Sequence, residues 1–290
     1  MTDQLHRYLT VLAPTRSMAH GAGSFMHHLF GVYQILVAWG CAPAVYTAGL
    51  FHSTYGTEFY AASLFDFADR QTLRELIGAE AEALVYAFGR MSRSQLLDDS
   101  PVEIDNGEHR ISDEQLGALR CIEMANLLEQ QAAADRSPAI FIRRLWQLAR
   151  AGTALDHRHP IMGIVDFPAR QEHAALDAYH RALGFPSPDA DSTAELLRQC
   201  TIGSGIVGEP LILLAAIELD HGEWAAAMSA AGRGRDLLAR WACPWDKRLS
   251  FGDWLGLADR IGELAELGAT GTDLWPQLRS MLQLKGARSS

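Results

Sequence analysis

The chain has 290 residues, 48% hydrophobic and 21% charged, enough apolar content for a buried core in one large domain or two modest ones. A net charge of −10 and a pI near 5.5 argue against a nucleic-acid grip or an anionic membrane surface, because both need clustered Lys and Arg. Cys41, Cys121, Cys200 and Cys243 stand far apart with no C-x-x-C pair, which excludes a zinc knuckle and reads as reduced thiols of a cytoplasmic protein.

Alternating apolar and polar runs of β-branched residues are nearly absent, so the expected fold class is all-α. The start, MTDQLHRYLTVLAPTR, lacks the basic and apolar regions of a signal peptide. Ser24 opens a helix whose apolar positions Phe25, Leu29, Val32, Ile35, Leu36 and Trp39 fall three and four apart, one stripe along the cylinder. Gly40 ends it. Pro43 suits a first helical turn, and PAVYTAGLFH then forms a second, nearly all-apolar helix that must be buried. This pair of helices is broken by Gly40 and Pro43, so it is not read as a membrane span.

Downstream, DRQTLRELIGAEAEALVYAFGRM predicts one or two helices, with a break at Gly78. VEI and HRI flank Asn106-Gly107, which predicts a small β-hairpin or extended loop near 102–111. Ser112 with Gln115 is a capping-box pattern opening the helix QLGALRCIEMANLLEQQAAA, and AIFIRRLWQLARAG follows as another. The mixed segment 152–170 is the candidate boundary between a domain over 1–150 and a helical region over 151–290. That second region repeats a helix-turn-helix rhythm. GEPLILLAAIELDHGEWAAAMSAAGRGRDLLARW resembles a tetratricopeptide helix pair, with Gly222 and Trp224 at the turn and Ala227, Ala231, Gly234, Leu237 and Leu238 as packing positions; a poorer pair covers 172–200.

The chemistry-bearing residues gather in HGAGSFMHHL (His20, His27, His28), GLFHSTYGTE (His52, Ser53, Tyr55, Glu58), EMANLLEQ (Glu123, Asn126) and WDKR (Trp245 to Arg248). In an antiparallel helix pair, a histidine near the start of the first helix and one at the end of the second lie at the same end of the bundle. That placement suits His28 and His52. Neutral imidazole is the most general ligand for borderline metals, and a nearby carboxylate can complete a site or take a proton from water. The WDKR stretch also reads as a salt-bridged latch between domains.

The order His28, then GLFHS, then IGAEAEALVYAF, then IEMANLL is similar to the HD superfamily of metal-dependent phosphohydrolases, in particular to the hydrolase domain of alarmone enzymes. The resemblance spans roughly residues 16–150. It implies an HD-like helical bundle in which His28 and His52 are metal ligands, and Asn126 stands at the last ligand position. Two departures matter: Ser53 stands where the family has the aspartate of its His-Asp pair, and Asn126 where it has its final aspartate. The acidic pair that alarmone hydrolases place after His-Asp aligns with Gly56 and Thr57, so Glu58 is the nearest carboxylate. The chain is also similar to an uncharacterised family, a domain of unknown function with the patterns HxxxxxxxHL, GLFHSxYGTE and WDKR.

Three functions are therefore in view. The first is a metal-dependent enzyme acting on a small molecule by hydrolysis or oxidation, with Fe, Mn or Zn held by His28, His52 and Asn126 and with Glu58, His20, Ser53 and Tyr55 as catalytic candidates. The second is a metal-free acid–base pocket using His28, His52 and Glu58. The third is a non-catalytic scaffold that binds a protein partner through the C-terminal helices. No nucleic-acid or membrane partner is expected. No phosphate-binding loop, G-x-S-x-G elbow or His-Glu-x-x-His motif occurs.

Overall fold

A computed structural model describes residues 3–20, 23–58, 63–98, 101–130, 138–151, 160–163, 169–184, 189–203, 207–269 and 272–286. Among these residues, regular structure consists of thirteen α-helices, five short 3-10 turns and two two-stranded antiparallel ribbons. The fold class is all-α. No helix among the described residues is long and apolar enough to cross a membrane. The chain divides into two compact units, one comprising Met1–Gln130 with Arg144–His157, the other Gln131–Arg143 with Arg158–Ser290. Most of the 152–170 segment expected as a boundary lies outside the described residues; Pro160–Gly163 within it forms a 3-10 turn.

The first unit begins with α1 (Asp3–Val11) and a short ribbon of β1 (Ala19–His20) with β2 (Gly23–Ser24). Then come α2 (Phe25–Ala38) and α3 (Pro43–Phe51). Ser24 caps α2, its hydroxyl accepting from the His27 amide at 3.3 Å, which satisfies one of the amides a helix start leaves open. The apolar stripe of α2 is buried as its spacing predicts, at Phe25, Leu29, Val32, Ile35 and Leu36. Each such side chain contributes about 1.5–3 kcal/mol when fully buried. Gly40, at φ 70°, turns the chain, and α3 packs back along α2. The crossing is close at Gly49, where a Cβ would lie 2.3 Å from Leu36 Cδ1.

α4 (Arg70–Ile77) and α5 (Ala79–Arg90) are separate helices, divided at Gly78 with φ 91°. β3 (Glu103–Ile104) and β4 (His109–Arg110) form the expected hairpin, pairing Glu103 with Arg110 and Ile104 with His109. Its turn is wider than the Asn-Gly dipeptide alone: Asp105 also adopts positive φ, and its carboxylate accepts from Tyr86 Oη at 2.6 Å and Arg90 Nε at 2.7 Å. α6 (Asp113–Gln130) starts on the predicted capping box, with reciprocal bonds between Ser112 and Gln115. Helices α2, α3, α5 and α6 pack together, and α7 (Pro138–Arg150) contributes its second half to this unit.

The second unit holds α8 (Ala169–Leu183), α9 (Ala190–Gly203), α10 (Glu209–Asp220), α11 (Trp224–Trp241), α12 (Phe251–Glu266) and α13 (Leu274–Gly286). α10 is buried along nearly its whole length, and Gly222 at φ 78° turns the chain into α11. Ala227, Ala231, Gly234 and Leu238 face inward from α11, while Leu237 is half-buried. The WDKR stretch lies inside this unit. Asp246 is fully buried and accepts from Tyr179 Oη at 2.7 Å and from Arg248 Nε at 2.9 Å, while Glu209 Oε1 accepts from the amides of Trp245 and Asp246. Trp254 Nε1 donates to the Asp246 carbonyl at 2.8 Å. The Asp246–Arg248 ion pair is thus local to its own loop.

Candidate functional site

His28 lies in the first turn of α2 and His52 immediately follows α3, so the antiparallel pairing delivers both imidazoles to one end of the two helices. Both are buried, and their Nε2 atoms stand 3.3 Å apart with the rings inclined at 74°. α6 brings Asn126, whose Oδ1 lies 3.2 Å from His52 Nε2. The same helix places Glu129 so that its carboxylate meets His28 Nδ1. Gly31 makes room for that reach: a Cβ there would come within 2.7 Å of Glu129 Cγ.

Hydrogen-bond polarity fixes where the lone pairs point. His52 Nδ1 faces the Gly49 carbonyl at 2.7 Å, and a carbonyl only accepts, so the proton of neutral His52 sits on Nδ1 and its lone pair on Nε2. Burial, with the neighbouring His28 and the charge of Arg93 acting in the same direction, holds the His52 imidazole well below its ordinary pKa and therefore neutral. Glu129 likewise calls for the proton of His28 on Nδ1, which turns the lone pair of the neutral ring toward His52. Asn126 presents its oxygen because its amide nitrogen donates to Glu123 Oε2 at 3.2 Å. Glu123 is itself buried and paired with Arg93 Nε at 3.3 Å; burial raises its carboxyl pKa and Arg93 opposes that shift.

Acceptor atoms therefore converge: two imidazole nitrogens and, against one of them, an amide oxygen. Facing lone pairs repel unless they share an electrophile, either a proton or a cation. The donor set fits a metal. With metal–nitrogen bonds of about 2.0–2.1 Å, two ligands of a tetrahedral ion stand about 3.3–3.4 Å apart, matching the separation of the imidazoles. Metal-binding histidines nearly always donate their other N–H to a carboxylate or a backbone carbonyl, and here Glu129 and Gly49 occupy those two roles. The described residues hold no cluster of three His, Cys, Asp or Glu placed for a metal; beside the two imidazoles stands the neutral amide of Asn126.

Among the described residues, the other predicted site residues make their hydrogen bonds elsewhere. Ser53 is buried in the turn after His52, its carbonyl accepting from the Gly56 amide at 3.0 Å. Tyr55 turns away, donating to Glu82 Oε1 at 3.1 Å; burial raises its pKa far above the usual phenol value, with Glu82 adding to the effect. Glu58 is exposed and accepts from the Arg93 amide at 2.9 Å and from Ser92 Oγ at 3.2 Å, which caps the 3-10 turn Arg93–Leu97. His20 lies on β1, with its side chain outside the described residues. His27 hydrogen-bonds to Ser24.

Two contributors escaped the sequence. Arg93 closes the chain of contacts through Glu123 to Asn126, stacks its guanidinium 3.6 Å from the centre of the Phe88 ring, and donates to the Phe88 carbonyl at 2.7 Å. Glu129 orients His28. The signal for Glu129 was available, because it follows Asn126 by three positions and helical neighbours at that spacing share a face. Arg93 offers a weaker signal, a capping box at Ser92 and Gln95 that marks the start of a helical turn.

Residues 11–93 match the family model described as a domain of unknown function (DUF6817), a span that includes His28 and His52 and ends before Asn126. No curated protein and no solved structure matches the chain.

Proposed function

We propose that the first unit is a metal-dependent enzyme that hydrolyses an anionic small molecule, with His28 Nε2, His52 Nε2 and Asn126 Oδ1 holding one divalent transition ion. The observation that carries this reading is the convergence of acceptors, which one cation satisfies together and one proton does not. When bound, such an ion polarises a phosphoryl or carbonyl oxygen and acidifies water. Three uncharged donors leave its charge uncompensated save for Glu129 behind His28, and that residual charge favours an anionic substrate, a phosphoester above all. The chain's own residues position: the Gly49 carbonyl and the Glu129 carboxylate each hold an Nδ1 proton, and the Arg93–Glu123 pair keeps the Asn126 oxygen facing the histidines. This reading takes α2, α3, α5 and α6 as a divergent HD-like bundle and α10–α11 as a tetratricopeptide-like pair, on helix order and the positions of the two histidines.

A metal-free reading has one observation of its own. The Glu129 carboxylate can hold a doubly protonated His28, whose Nε2–H then donates to His52 Nε2, an acid–base pair for a small organic substrate. It leaves Asn126 Oδ1, which also accepts from Gln130 Nε2 at 3.1 Å, close to the His52 acceptor with no donor between them, and that ranks it second. Elemental analysis of chelator-free protein separates the two. About one equivalent of Fe, Mn or Zn, lost in His52→Ala and retained in Tyr55→Phe, supports the metal centre. Substoichiometric metal unchanged by His52→Ala refutes it, and activity surviving EDTA would establish the acid–base pair instead.

A further inference from the structure

Between α11 and α12 the chain sets a thiol against an amine. Ala242 ends α11 in the left-handed region, at φ 59°, and its amide still bonds to the Leu238 carbonyl at 2.9 Å. That turn takes Cys243 off the helix, and Lys247, four positions on, comes back so that its Nζ donates to Cys243 Sγ at 3.0 Å. The sulfur also lies 3.7 Å from the Pro244 carbonyl, to which a thiol donates. The residues between them are clamped from outside the pair. Glu209 Oε1 accepts from the Trp245 and Asp246 amides at 2.5 and 3.0 Å, and Trp254 Nε1 donates to the Asp246 carbonyl at 2.8 Å. Sulfur and nitrogen are thus held at contact distance by bonds that neither of them makes. Cys243 is 7% exposed and Lys247 half-buried, which puts the pair at the edge of the core and not in its middle. We propose that Cys243 and Lys247 are an oxidation-sensitive pair that a peroxide converts to a reversible Sγ–Nζ sulfenamide bond, closing the loop on itself.

The geometry gives the ammonium two tasks. Thiolate is the nucleophilic form of cysteine, and a cation in contact with the sulfur favours it. The Cys243 thiolate attacks the peroxide: an S–O bond forms, the O–O bond breaks, and hydroxide leaves. The Lys247 ammonium protonates that hydroxide to water and so becomes a neutral amine beside a sulfenic acid. The amine nitrogen then attacks the sulfur. The S–O bond breaks, and the second hydroxide takes a proton from the nitrogen and leaves as water. Sulfenic acids condense with nitrogen nucleophiles in this way when one is held against them. Thiol and amine together lose two electrons and two protons, and one peroxide becomes two waters. The product removes a positive charge and closes a ring over residues 243–247, tying the end of α11 to the loop that leads into α12. A dithiol cleaves the bond and restores both side chains. The proposal is independent of the metal centre, which lies in the other unit.

The test uses the reduced full-length chain, treated with equimolar hydrogen peroxide, alkylated with iodoacetamide and digested with trypsin. A sulfenamide blocks both alkylation of Cys243 and cleavage after Lys247. The expected product is therefore the peptide 241–248, unalkylated and lighter by two hydrogens, which dithiothreitol returns to an alkylatable form cleaved after Lys247. Lys247→Arg keeps the charge but offers no amine, so oxidation should stop at a sulfenic acid that dimedone labels on Cys243. Cys41→Ser leaves the pair intact and should give the same light peptide, so the outcome does not hang on a substitution at the contact. Full alkylation of Cys243 after peroxide, a peptide 241–248 made heavier by oxygen, or linkage of Cys243 to another cysteine overturns the proposal. So does the same loss of two hydrogens in Lys247→Arg, which would place the bond on a different nitrogen.

Discussion

Each unit encloses a buried polar network, and the two are wired differently. In the second unit the charges are matched: Asp246 receives Tyr179 and Arg248, Glu209 receives two backbone amides, and Trp254 donates to a carbonyl. Every one of those bonds has a donor and an acceptor, with the indole N–H of Trp245 left over. In the first unit the outer members are matched in the same way, Arg93 with Glu123, Glu123 with Asn126, and Gln130 Nε2 donating to Asn126 Oδ1 at 3.1 Å, while at the centre two imidazole Nε2 atoms face one another at 3.3 Å. A network that closes on itself holds a loop in place. One that brings two imidazole nitrogens this close is the arrangement on which the proposed metal centre rests.

The comparison can be broken at its strongest point first. Asp246→Ala leaves a buried Arg248 and the Tyr179 hydroxyl without their acceptor, and should cost about 3–5 kcal/mol in urea unfolding of the second unit. A cost under 1 kcal/mol would show that this network is not what holds the loop.

Glu209 gives the next effect. Burial, with the neighbouring Asp246 charge adding to it, raises its pKa to about 7, although the two amides it accepts from oppose the shift. The folded state therefore binds this proton more tightly than the unfolded chain does. The associated stability is fully present below the unfolded value near 4.5 and is lost as pH rises through about 7. A shift of this size corresponds to roughly 3 kcal/mol. Unfolding free energies at pH 5 and pH 8 should differ by less in Glu209→Gln than in the unmutated chain; an identical difference would remove Glu209 from the account.

The smallest effect sharpens the other side of the comparison. Glu129→Gln keeps the size of the side chain but removes the charge behind His28, and at the proposed metal centre should weaken affinity for the ion about 10–100-fold, as loss of a carboxylate behind a ligating histidine does. Competition with a chromophoric chelator measures it. Unchanged affinity would mean that His28 needs no orienting partner.

Helix periodicity and capping residues made the α2–α3 pair, the Gly78 break, the 102–111 hairpin and the start of α6 readable, because those signals are local. His28 and His52 were legible for a related reason: an antiparallel pair is a short-range object, and its two ends follow from its length. Ser53, Tyr55 and Glu58 were read by proximity to His52 in sequence, and the structure distributes them. The chain turns sharply after α3, sending Tyr55 to Glu82 and Glu58 to Ser92 and Arg93. Those partners lie 27 to 35 positions away, a separation at which sequence pattern carries no register. The His28–Glu129 contact belongs to the same class. It arises when α6 docks on the α2–α3 pair: spacing within α6 puts Glu129 on the face of Asn126, but the histidine it meets is set only by that docking.

Gly31 sets stability against function at a single position. A glycine inside a helix weakens it by roughly 0.5–1 kcal/mol relative to alanine, so alanine at 31 would be the better helix residue by propensity. The methyl group it adds would occupy the space through which Glu129 reaches His28. A search for stabilising substitutions would favour that exchange, and the stiffer α2 it produced would displace the carboxylate that orients the first histidine.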